Sequence, residues 1–390
     1  MRWCVLGVLA VGVVAAGCTG AAARTPDPGN GALNGGGAFA DGHARPRALA
    51  VDARGDLLYV ALSTANRLAV IDVRAGAARV VADVPVCAFP DALAPLPGGG
   101  VVVGCRFDPG LRVVGRAGQG AASRGDFPVR VVDTGPEHGN RGLAVDRAGR
   151  FAYVGSPPRG GVKVVDLMGA SGAPLRFIAT GAHPQTVRLL ESAPPRLLVS
   201  NFIDHTVTIH AVAADGGLSA AQQTIRTEAP VLDMGVLSSH AGGGDLRGAL
   251  LLATHEDRPL SRERIVVEGL DSVVLALAPS VPPYAAGPFI DPGVGKRTTI
   301  NLTERARDPL VGLDALAVDA HSGRLAVAGA GSDNLLVGGP NTPSLLEGRA
   351  VTVGANPSAV AFLPDGRVAT ADRLSDTVSL VSAAGACQSV

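Results

Sequence analysis

Leu49-Ala50-Val51-Asp52-Ala53-Arg54-Gly55 returns as Leu143-Ala144-Val145-Asp146-Arg147-Ala148-Gly149, and again as Leu316-Ala317-Val318-Asp319 with Gly323. A looser copy is Val360-Ala361-Phe362-Leu363-Pro364-Asp365-Gly366. In each copy an alternating apolar stretch runs into an Asp/Gly turn, where glycine supplies the positive φ that a tight hairpin needs. A second strand is expected directly after each turn, over 56–62, 150–155, 324–328 and 367–371. A short polar loop then leads to a third, over 67–73, 161–167, 206–212 and 376–381. A fourth is clearest over 78–84, 175–180 and 349–353.

Four strands recurring about every 45 to 50 residues are the sequence signature of a propeller blade. First strands start near Arg47, Asp91, Arg141, Gln185, Val231, Asp314 and Ser358. The expected fold is therefore an all-β β-propeller of seven blades, each of four antiparallel strands. It is expected to occupy residues 41–390, with an insertion of about 258–296 in blade five. The last unit runs short of a fourth strand, and either 36–44 or 384–390 is a candidate to complete it.

Composition agrees with many short strands. Charged residues make up 17% of the 390-residue chain, whereas Gly and Pro number 52 and 28. That balance disfavours long helices and favours strands punctuated by turns. The formal net charge of zero argues against nucleic acid as partner, since such binders carry a basic excess. At 3% aromatic residues, a stacking platform for bases or sugars is thinly equipped.

The N-terminus reads as an export signal. Arg2 precedes an apolar run over 5–17, shorter than the roughly 20 residues that span a bilayer core. Ala15-Ala16-Gly17-Cys18 resembles the bacterial lipobox, with Ala15 where Leu is usual. The resemblance implies a lipoprotein signal peptide over 1–17 and a lipid on Cys18. An ordinary signal peptide cut nearby is the alternative. Residues 18–40 then form a flexible tether. The expected address is the cell envelope, on its periplasmic or extracellular side, with the membrane contacted only through the lipid. In that compartment Cys87 and Cys105, at the ends of the inner hairpin of blade two, are placed to form a disulfide. Cys387 is left over, as a free thiol or in an intermolecular bond.

Leu57-Leu58-Tyr59-Val60-Ala61, with the following 66–72, resembles the repeat of the YVTN-type propeller family, as does Phe151-Ala152-Tyr153-Val154-Gly155. The likeness implies a propeller in an extracytoplasmic protein and no single activity. The stretch 250–277, with Thr254-His255-Glu256-Asp257-Arg258-Pro259, is similar to the propeller part of exported cytochrome- and peroxidase-like proteins that carry c-type haem. This chain has no C-x-x-C-H and cannot attach such a haem itself. The stretch 201–218 resembles lactonase-like propeller enzymes, which would cast His205 as acid/base beside Arg47 or Arg141.

In a propeller, the residue opening each inner strand faces the mouth of the central channel. By alignment these residues are Arg47, Asp91, Arg141, Gln185, Asp314 and Ser358, with blade five ambiguous between Val231 and Asp233. Such a mixed polar ring suits a small polar ligand or an ion, or is plain solvation of a wet mouth. His138, His183, His205 and His255 fall on the same face, and their carboxylate neighbours suit a metal or acid/base work. Their spacings match no recognised ligand set, and hydrogen-bonded loop histidines are the simpler reading. The loop candidates for specificity are His205, His255, Asp257 and Arg258. No phosphate-binding glycine loop, G-x-S-x-G or H-E-x-x-H is present. The reading is a binding scaffold for a protein or small polar ligand, with no cofactor and no catalytic residue assigned. The alternatives are an accessory to a periplasmic cytochrome system and a lactonase-like hydrolase.

Overall fold

The computed structural model describes residues 43–74, 78–116, 127–169, 176–191, 194–227, 230–236, 250–257, 269–277, 297–302, 306–319, 322–339 and 341–390. From 250 to 301 it describes the backbone alone. The stretches expected to form a signal peptide and a tether, with Cys18, lie outside the described residues, as do 258–268 (with Arg258) and 278–296.

The strands pair into seven four-stranded antiparallel sheets, each in chain order. The first joins β1 (Pro46–Val51), β2 (Leu57–Leu62), β3 (Arg67–Asp72) and β4 (Arg79–Pro85). The second joins β5 (Pro90–Pro95), β6 (Val101–Cys105), β7 (Leu111–Val114) and β8 (Val129–Val132). The third holds β9 (Arg141–Val145), β10 (Phe151–Ser156), β11 (Gly161–Asp166) and β12 (Arg176–Ala179). In the fourth are β13 (Pro184–Leu190), β14 (Arg196–Asn201), β15 (Thr206–Ala211) and β16 (Gln223–Arg226). The fifth is β17 (Val231–Val236), β18 (Leu250–Asp257), β19 (Gly269–Leu277) and β20 (Arg297–Asn301). The sixth has β21 (Leu313–Val318), β22 (Leu325–Gly329), β23 (Asn334–Gly338) and β24 (Ala350–Thr352), with α1 (Thr342–Glu347) before its last strand. The seventh is β25 (Pro357–Phe362), β26 (Val368–Asp372), β27 (Thr377–Val381) and β28 (Cys387–Ser389).

The expectation of seven blades is corrected here to six regular ones. Six blades are described in backbone and side chain, and the fifth sheet is of another kind. Its middle strands run eight and nine residues, against six at most in the middle strands of the other sheets. The reason is a hairpin that outgrows its neighbour. Val231 of β17 pairs with Thr254, while His255, Glu256 and Asp257 pair only with β19, across a register shift at Thr254/His255. The sequence reading placed His255 and Asp257 in a loop; both lie in strand β18.

Burial follows radial position. The middle strands β2 and β3 are buried almost throughout, because sheets pack on both their faces, whereas the outer β4 and β8 are largely exposed. Between the first and second sheets lie Tyr59, Leu68, Val70, Val101 and Val103. Between the seventh and the first lie Leu58, Val60, Ile71, Ala369 and Leu380, and this layer closes the ring. The last blade does not lack its outer strand: Cys387–Ser389 pairs with β27, so the C-terminal candidate supplies it.

The repeated phrase has a local cause. The Asp52 carboxylate accepts from the backbone N–H of Asp56 and Leu57, both at 3.1 Å, and Asp146 does the same for Arg150 and Phe151 at 2.7 Å. Each aspartate thus ties the end of its inner strand to the start of the next. Gly55 and Gly149 supply φ of 75° and 70° in those turns. Arg116 reaches from the second sheet to hold Asp52 and Asp56 of the first, with its guanidinium 2.6 and 2.8 Å from the two Asp56 oxygens. That fork lowers the Asp56 pKa to about 2.

Candidate functional site: the channel mouth

Four inner strands begin with proline, at Pro46, Pro90, Pro184 and Pro357. The residue before each, Arg45, Phe89, His183 or Asn356, holds a left-handed φ between 49° and 58°. Proline suits a strand's first position because it has no N–H to offer the ladder. Directly after it the register slips by one residue, at Arg47, Asp91, Gln185 and Ser358, and the same slip falls at Asp314. A bulge of this kind leaves one residue unpaired and re-aims its side chain. Here it turns five polar side chains toward the channel.

Arg47, Asp91, Arg141, Gln185, Asp314 and Ser358 all line one cavity of about 170 Å³, together with Arg188 and Asp233. Two alignments needed adjustment. In the third sheet Arg141 pairs with Gly155, and the bulged residue is Gly142, at φ 63°. Arg141 therefore holds the register position of Pro46 and still reaches the cavity. In the fifth sheet the slip falls at Leu232, and both Leu232 and Asp233 line the space.

Asp91 is the electrostatic centre. Its side chain is 4% exposed and is contacted by three guanidinium groups. Arg47 Nε is in direct contact with its carboxylate, Arg141 Nε stands at 3.5 Å, and Arg106 Nε at 3.7 Å. Arg141 also donates to Gln185 Oε1. Across the mouth, Asp233 bonds Arg188 Nη2 at 2.7 Å and accepts from the Leu316 N–H at 3.0 Å.

Sequence reasoning missed Arg106 and Arg373. Both stand one residue past the second-strand partner of an inner strand's first residue, since Pro90 pairs with Cys105 and Pro357 with Asp372. The only signal for them was this register. Arg373 is half-buried; burial and the neighbouring Arg47 and Arg45 push its pKa down, against the pull of Asp314 and Asp91. Beneath it, Asp372 is wholly buried and accepts hydrogen bonds from Ser379 at 2.6 Å and Thr370 at 2.7 Å. Burial raises its pKa to about 6.

The histidines do not converge. His183 holds the left-handed position before Pro184, and His205 the left-handed position before β15, matched by Asn66, Asp333 and Asp376 before other third strands. Short polar residues tolerate that conformation well, which accounts for both histidines without chemistry. At equivalent sites Asn66 accepts from the Phe89 N–H at 2.9 Å and Asp333 from the Asn356 N–H at 2.8 Å. Asp376 accepts from the Arg45 N–H at 2.8 Å, so the same clip joins the last blade to the first. His205 does not line the cavity with Arg47 and Arg141. Among the described residues no group of three His, Cys, Asp or Glu is placed to hold a metal ion. No helix among them is long and apolar enough to cross a membrane. Cys87 and Cys105 are joined in a disulfide, Cα atoms 6.0 Å apart, against the second inner strand.

No family model matches the chain, and no curated protein matches it. Solved structures do. A chain of Kuenenia stuttgartiensis hydrazine synthase superposes with a TM-score of 0.69 at 14% identity, covering 91% of this chain and 100% of that one. Virginiamycin B lyase from Staphylococcus aureus superposes at 0.59 and 11% identity, covering 86% and 94%. The WD40 propeller domain of Doa1 superposes at 0.56 and 12% identity, covering 86% and 92%. The fold is a β-propeller. At these identities the likeness establishes the fold and nothing of the activity.

Proposed function

We propose that this propeller is a binding module that receives a small polar ligand in the mouth of its channel, at the outer side of a cell membrane. The observation that carries the reading is convergence. Polar side chains from separate blades, delivered by a recurrent bulge, meet around one cavity whose central carboxylate is shielded from water. A cavity of about 170 Å³ is close to the size that holds a benzene-sized molecule, so an extended peptide or nucleotide would have to stay outside it. Anchoring through Cys18 would place that mouth next to the membrane, and it predicts that Cys18→Ser moves the protein from the membrane to the soluble fraction.

The test is to purify the chain from its own cells, denature it, and analyse the small molecules released. A compound released by the natural protein and absent from Gln185→Trp supports the reading; identical release from both contradicts it. A second reading, an accessory to an extracytoplasmic redox system, would use the mouth to dock a protein. Its support is the superposition of 91% of this chain on a hydrazine synthase chain, and co-purification of a cytochrome under crosslinking tests it.

A further inference from the structure

In four sheets, one residue of the turn from second to third strand is fixed by the same backbone bond. The Phe107 N–H donates to the Ala88 carbonyl at 3.2 Å, Ile203 to Ala182 at 3.3 Å, Leu374 to Ala355 at 3.0 Å and Gly331 to Val311 at 2.8 Å. Each stands two residues past the second-strand partner of its inner strand's first residue, so all four lie at the end where the inner strands begin. The equivalent place holds Pro157 in the third sheet and Thr64 in the first, while Glu256 of the fifth is still paired within β18. Phe107, Ile203 and Leu374 are 49%, 64% and 60% exposed.

Single exposed apolar side chains are ordinary on a surface. These three share one register position on one face of the propeller, around its polar mouth. The carboxylates of the same turns are hydrogen-bonded to backbone: Asp108 accepts from the Ala88 N–H at 2.7 Å, Asp204 from Ala182 at 2.6 Å and Asp376 from Arg45 at 2.8 Å. Two observations favour a lipid surface over a protein as the partner. The side chains stand on separate blades around a polar opening, whereas the core of a protein interface is contiguous and apolar. A lipid interface takes up isolated side chains one at a time, each adding its own buried apolar area. The second observation is where the chain enters the fold. His43 is tied to this face, its Nδ1 2.6 Å from Asp376 Oδ2 and its carbonyl accepting from the Thr64 hydroxyl. Only residues 19–42 separate it from Cys18. A Gly-rich tether of that length, as composition predicts, reaches about 25–30 Å on average, so a lipid on Cys18 keeps the bilayer on the side where the chain enters.

We infer that the mouth-side face rests on the lipid bilayer, with Phe107, Ile203 and Leu374 inserted at the boundary between headgroups and acyl chains. This rests on the Cys18 anchor proposed above and is independent of what the mouth binds. The mouth then opens onto the headgroup layer.

The test uses the chain's single tryptophan, Trp3, which Trp3→Phe removes. Leu374→Trp, Ile203→Trp and Phe107→Trp then each add one reporter on the face, and an unchanged Tm shows that each variant is folded. Met168→Trp is the control, since Met168 is 74% exposed just past Asp166, at the opposite end of β11 from Gly161. Each chain, purified from the cells that export it, is mixed with vesicles of phosphatidylethanolamine and phosphatidylglycerol, with or without lipids brominated in the upper acyl chain. Intact mass reports separately whether Cys18 carries lipid. Emission from the three face reporters should shift to the blue and be quenched by the brominated lipid, with that from Met168→Trp unchanged. No quenching on the face of a chain that carries the lipid would overturn the docked face and leave the anchor. Quenching on the face of a chain without lipid would keep the face and overturn the anchor. No quenching and no lipid would overturn both, and equal quenching of Met168→Trp would overturn the docked face.

Discussion

At one end of the channel the inner strands present Arg47, Asp91, Arg141 and Gln185 around about 170 Å³; toward the other end four of them present Leu190, Val236, Val318 and Phe362 around about 490 Å³. The larger space is the less polar one. Both are made by the same strands, so the difference lies in where along each strand a residue falls. At its start, a left-handed residue, a proline and a bulge force one side chain inward, and that position is polar in five of the sheets. At its end the pairing is regular and the alternating apolar residues simply continue. Volume alone would point to the other opening. Convergent, desolvated polar groups are the better guide to a site for a polar ligand.

The sharpest way to break this contrast is to remove the carboxylate at the centre of the mouth. Asp91→Ala leaves Arg47, Arg106 and Arg141 facing one another around a buried gap, and it should cost about 3–5 kcal/mol in denaturant unfolding. A loss below about 1 kcal/mol would mean that water already compensates these charges.

Next in size is a pH effect seated directly under the mouth. The folded chain holds a proton on Asp372 up to about pH 6, while the unfolded chain releases it near 3.8. Stability should therefore fall as pH rises from about 4 to about 6, by up to roughly 3 kcal/mol from this group. Asp372→Asn should flatten that part of the profile, as read by chemical denaturation at a series of pH values.

A smaller effect is expected at the other opening. Phe362 packs there against the sixth and seventh sheets, and the Arg324 guanidinium sits 5.1 Å from its ring centre. Phe362→Ala should lower stability by about 1–3 kcal/mol and leave ligand binding at the mouth unchanged.

Much of this was legible in the sequence, for identifiable reasons. The Leu-Ala-Val-Asp phrase announces a blade because its aspartate has a fixed task, accepting two backbone N–H groups at the inner hairpin. The polar residues Arg47, Asp91 and Gln185 were readable because the repeated inner strands align, each opening at the same position. Arg141 was harder, since its blade lacks the proline and bulges at Gly142 instead. Arg106 and Arg373 were not legible, because their place depends on cross-strand register and no local pattern announces it. His183 and His205 are the opposite case: a residue rich in possible chemistry fills a position that any left-handed-tolerant side chain can take. The fifth sheet misled because an over-long hairpin looks, in one dimension, like a loop.

The most direct test blocks one opening at a time. Ser358→Trp fills the mouth and Ala317→Trp obstructs the less polar end, and each variant is titrated with the compound released by the natural protein. The account predicts that Ser358→Trp abolishes binding while Ala317→Trp leaves Kd within about twofold of the natural chain. Loss of binding in Ala317→Trp with Ser358→Trp unaffected would contradict it, and would move the site to the far end of the channel.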